Sequence, residues 1–356
     1  MIALLARQLG PYRISVLNEL SEELNGELMV MHTRADPTPN RQWTVAWHEV
    51  KFETTTLSGY RLNLGSGTLE LSRHVGSTLA KIRPDAIVMN GWDMHASWMA
   101  LSWARRRRVP VIAWVASTQT AGKHRVRSSN AIRRYFLERC SAAVVPGVAA
   151  ESFVHKFVPS LPCYRVTNAV DEPDLRAMDT PPKNGAALFI GELSRRKGVD
   201  LIIDAAEDIL GIFPRLIIAG NGPLRDEVAA LANRLPGLEY AGFVEGSDKT
   251  RLFGRSSAVL APSRKDPWLM VAAEALVARR PIVLGPGVGA IRDLQPIAGD
   301  AVCVMPAATH EDLVNAARQV RNQVVPSGLS EAFRPVDQAT AMARAFRLTI
   351  SQQPLR

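Results

Sequence analysis

The chain has 356 residues, 47% of them hydrophobic, and a formal net charge of +9. That length accommodates two domains of ordinary size with a core each, and the apolar content excludes a disordered polypeptide. Its three cysteines, Cys140, Cys163 and Cys303, show no CxxC spacing, which argues against a disulfide framework or a zinc site and fits a reducing cytoplasm. The whole positive excess falls in residues 1–165, where Arg105, Arg106, Arg107 and Arg108 close one segment and Lys123, Arg125, Arg127, Arg133, Arg134 and Arg139 crowd the next. A solvated helix face is one reading of such a cluster. The other is attraction to anionic headgroups or to a phosphate-bearing acceptor, at about 1 kcal/mol for each basic residue near an anionic surface. Nucleic acid is disfavoured as a partner, since no basic motif interleaved with aromatics is present.

Residues 1–9, interrupted by Arg7, read as a first strand rather than a signal peptide. No run approaches the roughly 18 uninterrupted apolar residues that a membrane-spanning helix needs. Strands are predicted at 2–6, 27–31, 86–89, 109–114 and 142–145, with helices between them where Ile14, Leu17, Leu20 and Leu24 recur and near 69–82, 94–107 and 129–139. Residues 36–66, with Pro37, Pro39, Trp43, Trp47 and Gly59, read as a hairpin or a long loop. Acidic and proline-bearing stretches around Asp171, Glu172 and Pro173 and around Asp179, Pro181 and Pro182 mark a linker over 169–185.

The alternation then restarts. Strands are predicted at 187–191, 215–220, 238–240, 258–261, 281–284 and 301–305, with helices at 198–210, 223–234, 246–254, 270–279 and 310–322. Two α/β domains with doubly wound parallel sheets are implied, at 1–168 and 186–330, with a helix in 331–356 packing back on the first. Sheets of this kind bind ligands beyond the carboxyl ends of their strands, so a cleft between the domains is the expected site.

One stretch concentrates the chemistry. Asp266 and Glu274 lie eight positions apart, one before an apolar segment and one inside it, and Gly285, Gly287 and Gly289 follow. A helix starting near Met270 puts Glu274 one turn inside and aims its unpaired N–H groups, and a partial positive charge, at an anion. Two other strand-to-helix turns fall on the same edge: Gly191 to Gly198, with Arg195, Arg196 and Lys197, and Gly220-Asn221-Gly222-Pro223. Cationic side chains and close-approaching glycine backbone both suit phosphate. Taken singly, each turn also reads as ordinary surface, and the two carboxylates as a cap and a partner of Arg279 or Arg280.

In order and mutual spacing these residues resemble glycosyltransferase family 4, a retaining family with the GT-B fold. The likeness is specific across about residues 186–295 and looser at Gly10-Pro11-Tyr12-Arg13 and at Asn168-Ala169-Val170-Asp171. It implies a nucleoside-diphosphate sugar as donor and no cofactor or metal. Glu274 would hold the ribose hydroxyls, Asp266 the donor sugar and Lys197 the diphosphate. Gly191, Arg196, Gly222 and the backbone of Leu269, Met270 and Val271 would border the phosphates, and Phe243 and Val244 the base. The acceptor-side candidates are Gly10, Tyr12 and Arg13 from the resemblance, with Asp93, His95 and Ser117 beside them, although His95 reads first as a partly exposed loop histidine. A saccharide or lipid-linked acceptor, and a cytoplasmic protein lying at the inner face of a membrane, follow from it. The chain departs from the family pattern in four places: Glu192 stands where Arg is usual, Asp266 where Glu is, and Leu269 where Gly is, while Ala116-Ser117-Thr118 occupies the place of a cleft histidine. These departures keep open a GT-B protein that binds its donor without catalysis. A GT-B epimerase is disfavoured, because no matching set of acidic residues and histidines is evident.

Overall fold

The computed structural model describes residues 1–33, 45–64, 67–119 and 127–352. Pro37, Pro39, Trp43, Lys123 and Arg125 therefore lie outside the described residues. The first unit runs β1 (Ile2–Ala6), α1 (Pro11–Glu23), β2 (Leu28–His32), β3 (Glu53–Thr56), β4 (Gly59–Leu64), β5 (Gly67–Ser72), α2 (Val75–Ile82), β6 (Ala86–Met89) and α3 (His95–Arg107). It continues through β7 (Val111–Trp114), α4 (Arg127–Leu137), β8 (Ala142–Val145), α5 (Val148–Phe157) and β9 (Cys163–Arg165). Its seven-stranded sheet has the order β3-β2-β1-β6-β7-β8-β9. Every pairing in it is parallel. All five residues of β1 are buried, as a strand covered by helices on both faces requires.

After α6 (Pro173–Arg176) the second unit runs β10 (Ala186–Ile190), α7 (Val199–Asp204), α8 (Ala206–Ile212), β11 (Leu216–Ala219), α9 (Arg225–Arg234), β12 (Leu238–Gly242) and α10 (Gly246–Arg255). Then come β13 (Ser256–Ala261), α11 (Met270–Val277), β14 (Ile282–Leu284), α12 (Ile291–Ala298), β15 (Val302–Val304), α13 (His310–Val320) and α14 (Pro335–Ser351). The sheet order is β12-β11-β10-β13-β14-β15. That is the 3-2-1-4-5-6 order of a dinucleotide-binding sheet, again parallel throughout.

Two chain crossings join the units. Arg176 in the first crossing donates to the carbonyls of Val170, Ser330, Ala332 and Phe333, so it staples both crossings together. Its burial lowers its pKa, a cost that four carbonyl acceptors offset. Arg280, 2% exposed, similarly holds Asp179 O and Phe253 O, and burial pushes its pKa down to about 10. Beyond the second crossing, α14 lies against α1 and shares a core with β1, burying Ala339, Met342, Ala343 and Phe346 beside Leu17 and Leu20. Gln338 accepts the Ala169 N–H at 2.7 Å, which fixes α14 to the start of the linker.

Some elements differ from the sequence reading. Of the helix expected over 69–82, residues 75–82 form α2, but 69–72 belong to β5, which pairs antiparallel with β4, and His74 is left-handed at φ 60° between β5 and α2. Cross-strand pairing of β5 with β4 overrides helical spacing there. The helix expected over 198–210 is split into α7 and α8 at Ala205, and Arg195–Lys197 forms a separate 3-10 turn. Elements α5, α12 and β9 were not anticipated. Pro296 inside α12 and Gly147 before α5 disguise those two helices, and β9 has only three residues.

Because Phe346 is fully buried where α14 meets the first unit, Phe346→Ala should lower stability by about 3–5 kcal/mol and reduce the urea midpoint. Equilibrium unfolding of the full chain checks this; an unchanged midpoint would show that α14 contributes nothing to the first unit.

Candidate functional site

Strand order in the second sheet reverses at β10, where the chain leaves β11 and β12 on one side and crosses to β13 on the other. The loops leaving β10 and β13 at their carboxyl ends therefore diverge and open a crevice at the switch point. The first carries Lys197 and the second carries Asp266, whose Nζ and Oδ2 lie 2.6 Å apart. Glycines make this proximity possible. A Cβ on Gly198 would stand 2.2 Å from Pro262 O, one on Gly220 1.8 Å from Gly191 O, and one on Gly287 1.8 Å from Arg264 O. Backbone runs against backbone around the crevice, leaving no space for side chains.

Asp266, 7% exposed, is fixed from several directions. Its N–H donates to Gly287 O, its carbonyl accepts from Gly289 N, and Oδ1 accepts from Trp268 N at 3.1 Å. Arg196 Nη1 lies 3.7 Å from Oδ2 and donates to Lys265 O, while Arg196 Nη2 donates to Glu192 Oε2 at 2.6 Å. Glu192 thus sits next to a cation. Arg195, by contrast, faces Asp200 at 3.8 Å and is 78% exposed, so Arg196 rather than Arg195 borders the crevice.

Helix α11 begins after Leu269, which is left-handed at φ 72° and does not cap the helix with its side chain. A left-handed conformation costs a residue with a Cβ about 1–2 kcal/mol. Leu269 is 4% exposed and belongs to the core under α11, which supplies the compensating burial. Met270 and Val271 open the helix, leaving its first N–H groups without a capping side chain beside Asp266 and Lys197.

One turn into α11, Glu274 pairs neither with Arg279 nor with Arg280 but with Lys249 of α10, Oε1 to Nζ 3.2 Å. Lys249 also donates to Glu172 Oε1 of the linker at 2.6 Å. Burial opposes its charge, but the two carboxylates outweigh burial and hold its pKa above the ordinary lysine value. Sequence reading missed Lys249 and Glu172. The one available signal was a lysine on a short helix just before β13. On the loop after β12, Phe243 is 47% exposed and Val244 packs partly against the core. Gly222, at φ 158°, abuts Leu193 of the β10 loop.

Across from this edge the first unit contributes its own loops. A cleft of about 340 Å³ lies between the two units, lined by Thr118, Ala149 and Ser152 on one side and by Gly287, Val288 and Arg292 on the other. Ser117, half-buried, adjoins it in the chain. Gly10 precedes α1, Tyr12 is 48% exposed, and the Arg13 guanidinium lies 4.5 Å over the Trp114 ring. Tyr12, Arg13 and Trp114 border a small separate cavity with Asn168 and Gln338. Asp93 is bound by Arg7 at 3.0 Å, and His95, the first residue of α3, accepts the Ser72 N–H through Nδ1. A contact not read from sequence joins the units: Asp293 of α12 accepts the Val148 N–H at 3.1 and 3.2 Å, at the start of α5. Burial raises the Asp293 pKa, partly offset by that N–H.

Two Rossmann-like units joined by a linker and opening on a shared cleft constitute the GT-B fold. Residues 185–323 match the family model described as Glycosyl transferases group 1. An uncharacterized glycosyltransferase of Methanocaldococcus jannaschii is 33% identical over 111 residues, 30% of this chain and 28% of that protein. Glycogen synthase of Mycobacterium tuberculosis is 28% identical over 217 residues, 56% of this chain and 52% of that enzyme. The chain thus matches about half or less of the length of these relatives. In structure it is similar to the Anabaena protein HepE in complex with UDP, with a TM-score of 0.70, 16% identity and coverage of 98% of this chain and 99% of that one.

The Asp293 contact yields a pH test. A carboxyl whose folded pKa is raised weakens the fold as pH rises from its unfolded to its folded value. Asp293→Asn keeps an acceptor for Val148 without the charge, so the variant should melt at or above the native chain at pH 7, with the difference vanishing below about pH 4. Melting curves across pH check it; a variant less stable at pH 7 would mean that the charge itself holds the units together.

Proposed function

We propose that this protein is a retaining glycosyltransferase that moves a hexose from a nucleoside-diphosphate sugar to an acceptor held in the cleft. The observation that carries the reading is the meeting of Lys197 and Asp266 at the switch point, beside an uncapped α11 N-terminus with Glu274 one turn inside. Lys197, Arg196 and the N–H groups of Met270 and Val271 supply positive potential where a diphosphate departs. Asp266, kept rigid by three backbone contacts, accepts from hydroxyls of the donor sugar, and Glu274 from the ribose. The exposed Phe243 ring, with Val244, borders the base, while Gly191 and Gly222 let backbone approach the phosphates.

In the reaction the bond from sugar C1 to the β-phosphate oxygen breaks, and the acceptor oxygen joins C1 on the same face. The departing phosphate takes the acceptor proton. The protein cations carry the charge stabilisation, so the reaction as proposed requires no divalent metal. Ser117 and the Gly10, Tyr12 and Arg13 edge stand on the acceptor side, with Asp93 and His95 further along the first unit. The acceptor is assigned as a saccharide or a lipid-linked saccharide of surface polysaccharide or glycolipid assembly, reached from the cytoplasm. Supporting this, α4 exposes Ile132 and Tyr135, at 48% and 50%, beside Arg134, and Arg105 to Arg108 are all exposed at the end of α3. Among the described residues no helix is long and apolar enough to cross a membrane.

One observation favours a second reading, a protein that binds a nucleotide sugar without turnover: Glu192 occupies Arg196 at 2.6 Å, reducing the cationic field available to a leaving group. Calorimetric donor binding with no transfer or hydrolysis would select it.

Three measurements test the proposal. A thermal-shift screen of nucleoside diphosphates and their sugars identifies the donor, since a ligand that binds the folded state alone raises Tm. With that donor, Lys197→Ala should reduce kcat by about 10²–10³-fold. Glu274→Ala should raise the donor KM by about 10-fold or more, the worth of a hydrogen bond to a charged group. Near-normal turnover in both variants refutes the assignment, as would an inverted product anomer by NMR. Glu192→Ala should tighten diphosphate binding by about 2- to 5-fold, the scale of one exposed ion pair, and added salt should shrink the gain.

A further inference from the structure

Glu274 does not stand alone in the second unit. Its Oε1 is bound by Lys249 Nζ, and the same ammonium is bound more closely by Glu172 Oε1, so three charges from the linker, α10 and α11 converge on one point. Their side chains are 28%, 15% and 17% exposed for Glu172, Lys249 and Glu274. Two carboxylates around one ammonium leave a net negative charge and unused acceptor capacity. Glu274 Oε2 has no protein partner among the described residues. A carboxylate offers about four lone-pair sites, so an ammonium on Oε1 leaves room for two hydroxyl donors.

Resting on the donor-binding reading of Glu274, we propose that Lys249 is a positioning residue for nucleotide selection. It fixes the Glu274 carboxylate so that a ribose diol is preferred to a deoxyribose, and Glu172 anchors that lysine from the linker. The physical reason lies in the rotamer freedom of glutamate. An unrestrained side chain on a helix samples several positions, and each hydroxyl bond then has to repay the ordering of that chain. A lysine held from its far side by Glu172 supplies the ordering in advance. The ammonium also gives the partly buried Glu274 carboxylate a charge partner that it would otherwise lack.

The experiment measures, by calorimetry on the full chain, the affinities of UDP, GDP and ADP and of their 2′-deoxy counterparts. The native protein should prefer the ribonucleotide of its tightest pair by about 10-fold, as loss of a hydrogen bond to a charged acceptor predicts. In Lys249→Met that ratio should fall towards one, whereas Lys249→Arg should retain most of it and Glu172→Gln should weaken it less than Lys249→Met does. Should Lys249→Met fail to fold, Lys249→Gln provides the same comparison with a neutral donor of similar length. Equal weakening of both members of the pair in the Lys249 variants, with the ratio kept, overturns the inference and leaves the donor reading intact. A native protein that discriminates while Glu274→Ala discriminates equally well overturns the ribose role of Glu274, and with it this inference. A native protein that binds none of the six nucleotides overturns both.

Discussion

Everything at the candidate site depends on backbone approaching backbone at the switch point of the second sheet. The loops that leave β10 and β13 touch because Gly198 has no Cβ to hold it away from Pro262 O, Gly287 likewise lets the loop after β14 close on Arg264 O, and Lys197 then reaches Asp266 at 2.6 Å. The ion pair is a consequence of that packing rather than its cause. A pair of this kind gains little net stability, since desolvation offsets most of the Coulomb attraction. Its value is positional, because it preorganises charge where a charged ligand would arrive.

The surrounding charges follow a pattern of mutual satisfaction. Glu192 is held by Arg196, Asp200 by Arg264, Glu274 by Lys249, and Glu172 by the same lysine. Each partner of the site is thus in turn fixed by another residue, and the arrangement spans the linker as well as the second unit. The linker is not a passive tether. Arg176 and Arg280 bind its carbonyls and those of the second crossing, which makes the linker region one hydrogen-bonded body around a half-buried and a buried guanidinium group.

Much of this was legible beforehand. The alternation of apolar runs gave two parallel sheets, and the spacing of Asp266 and Glu274 placed one carboxylate on a loop and the other one turn into a helix, as observed. Other features were hidden for definable reasons. The stretch before α2 pairs as β5 because a neighbouring strand is available, information that helical spacing does not contain. Leu269 stands where glycine is usual, and what sequence could not show is that its side chain is buried in the core while its backbone is held left-handed. The Glu192 carboxylate, awkward in a phosphate site when read alone, is explained by Arg196 four residues later.

The sequence by itself determined the class of architecture, the edge of the sheet on which the candidate site lies, and the residue types in its loops. Periodicity, turn residues and the order of strands are local properties, and they are written along the chain. Only the tertiary structure decided which charges meet. Lys197 and Asp266 are 69 residues apart in sequence, and Glu172 is 77 from Lys249. Ion pairs are set by distance in space, and that distance follows from the strand order and the glycine contacts of the folded sheet, which no window of sequence contains.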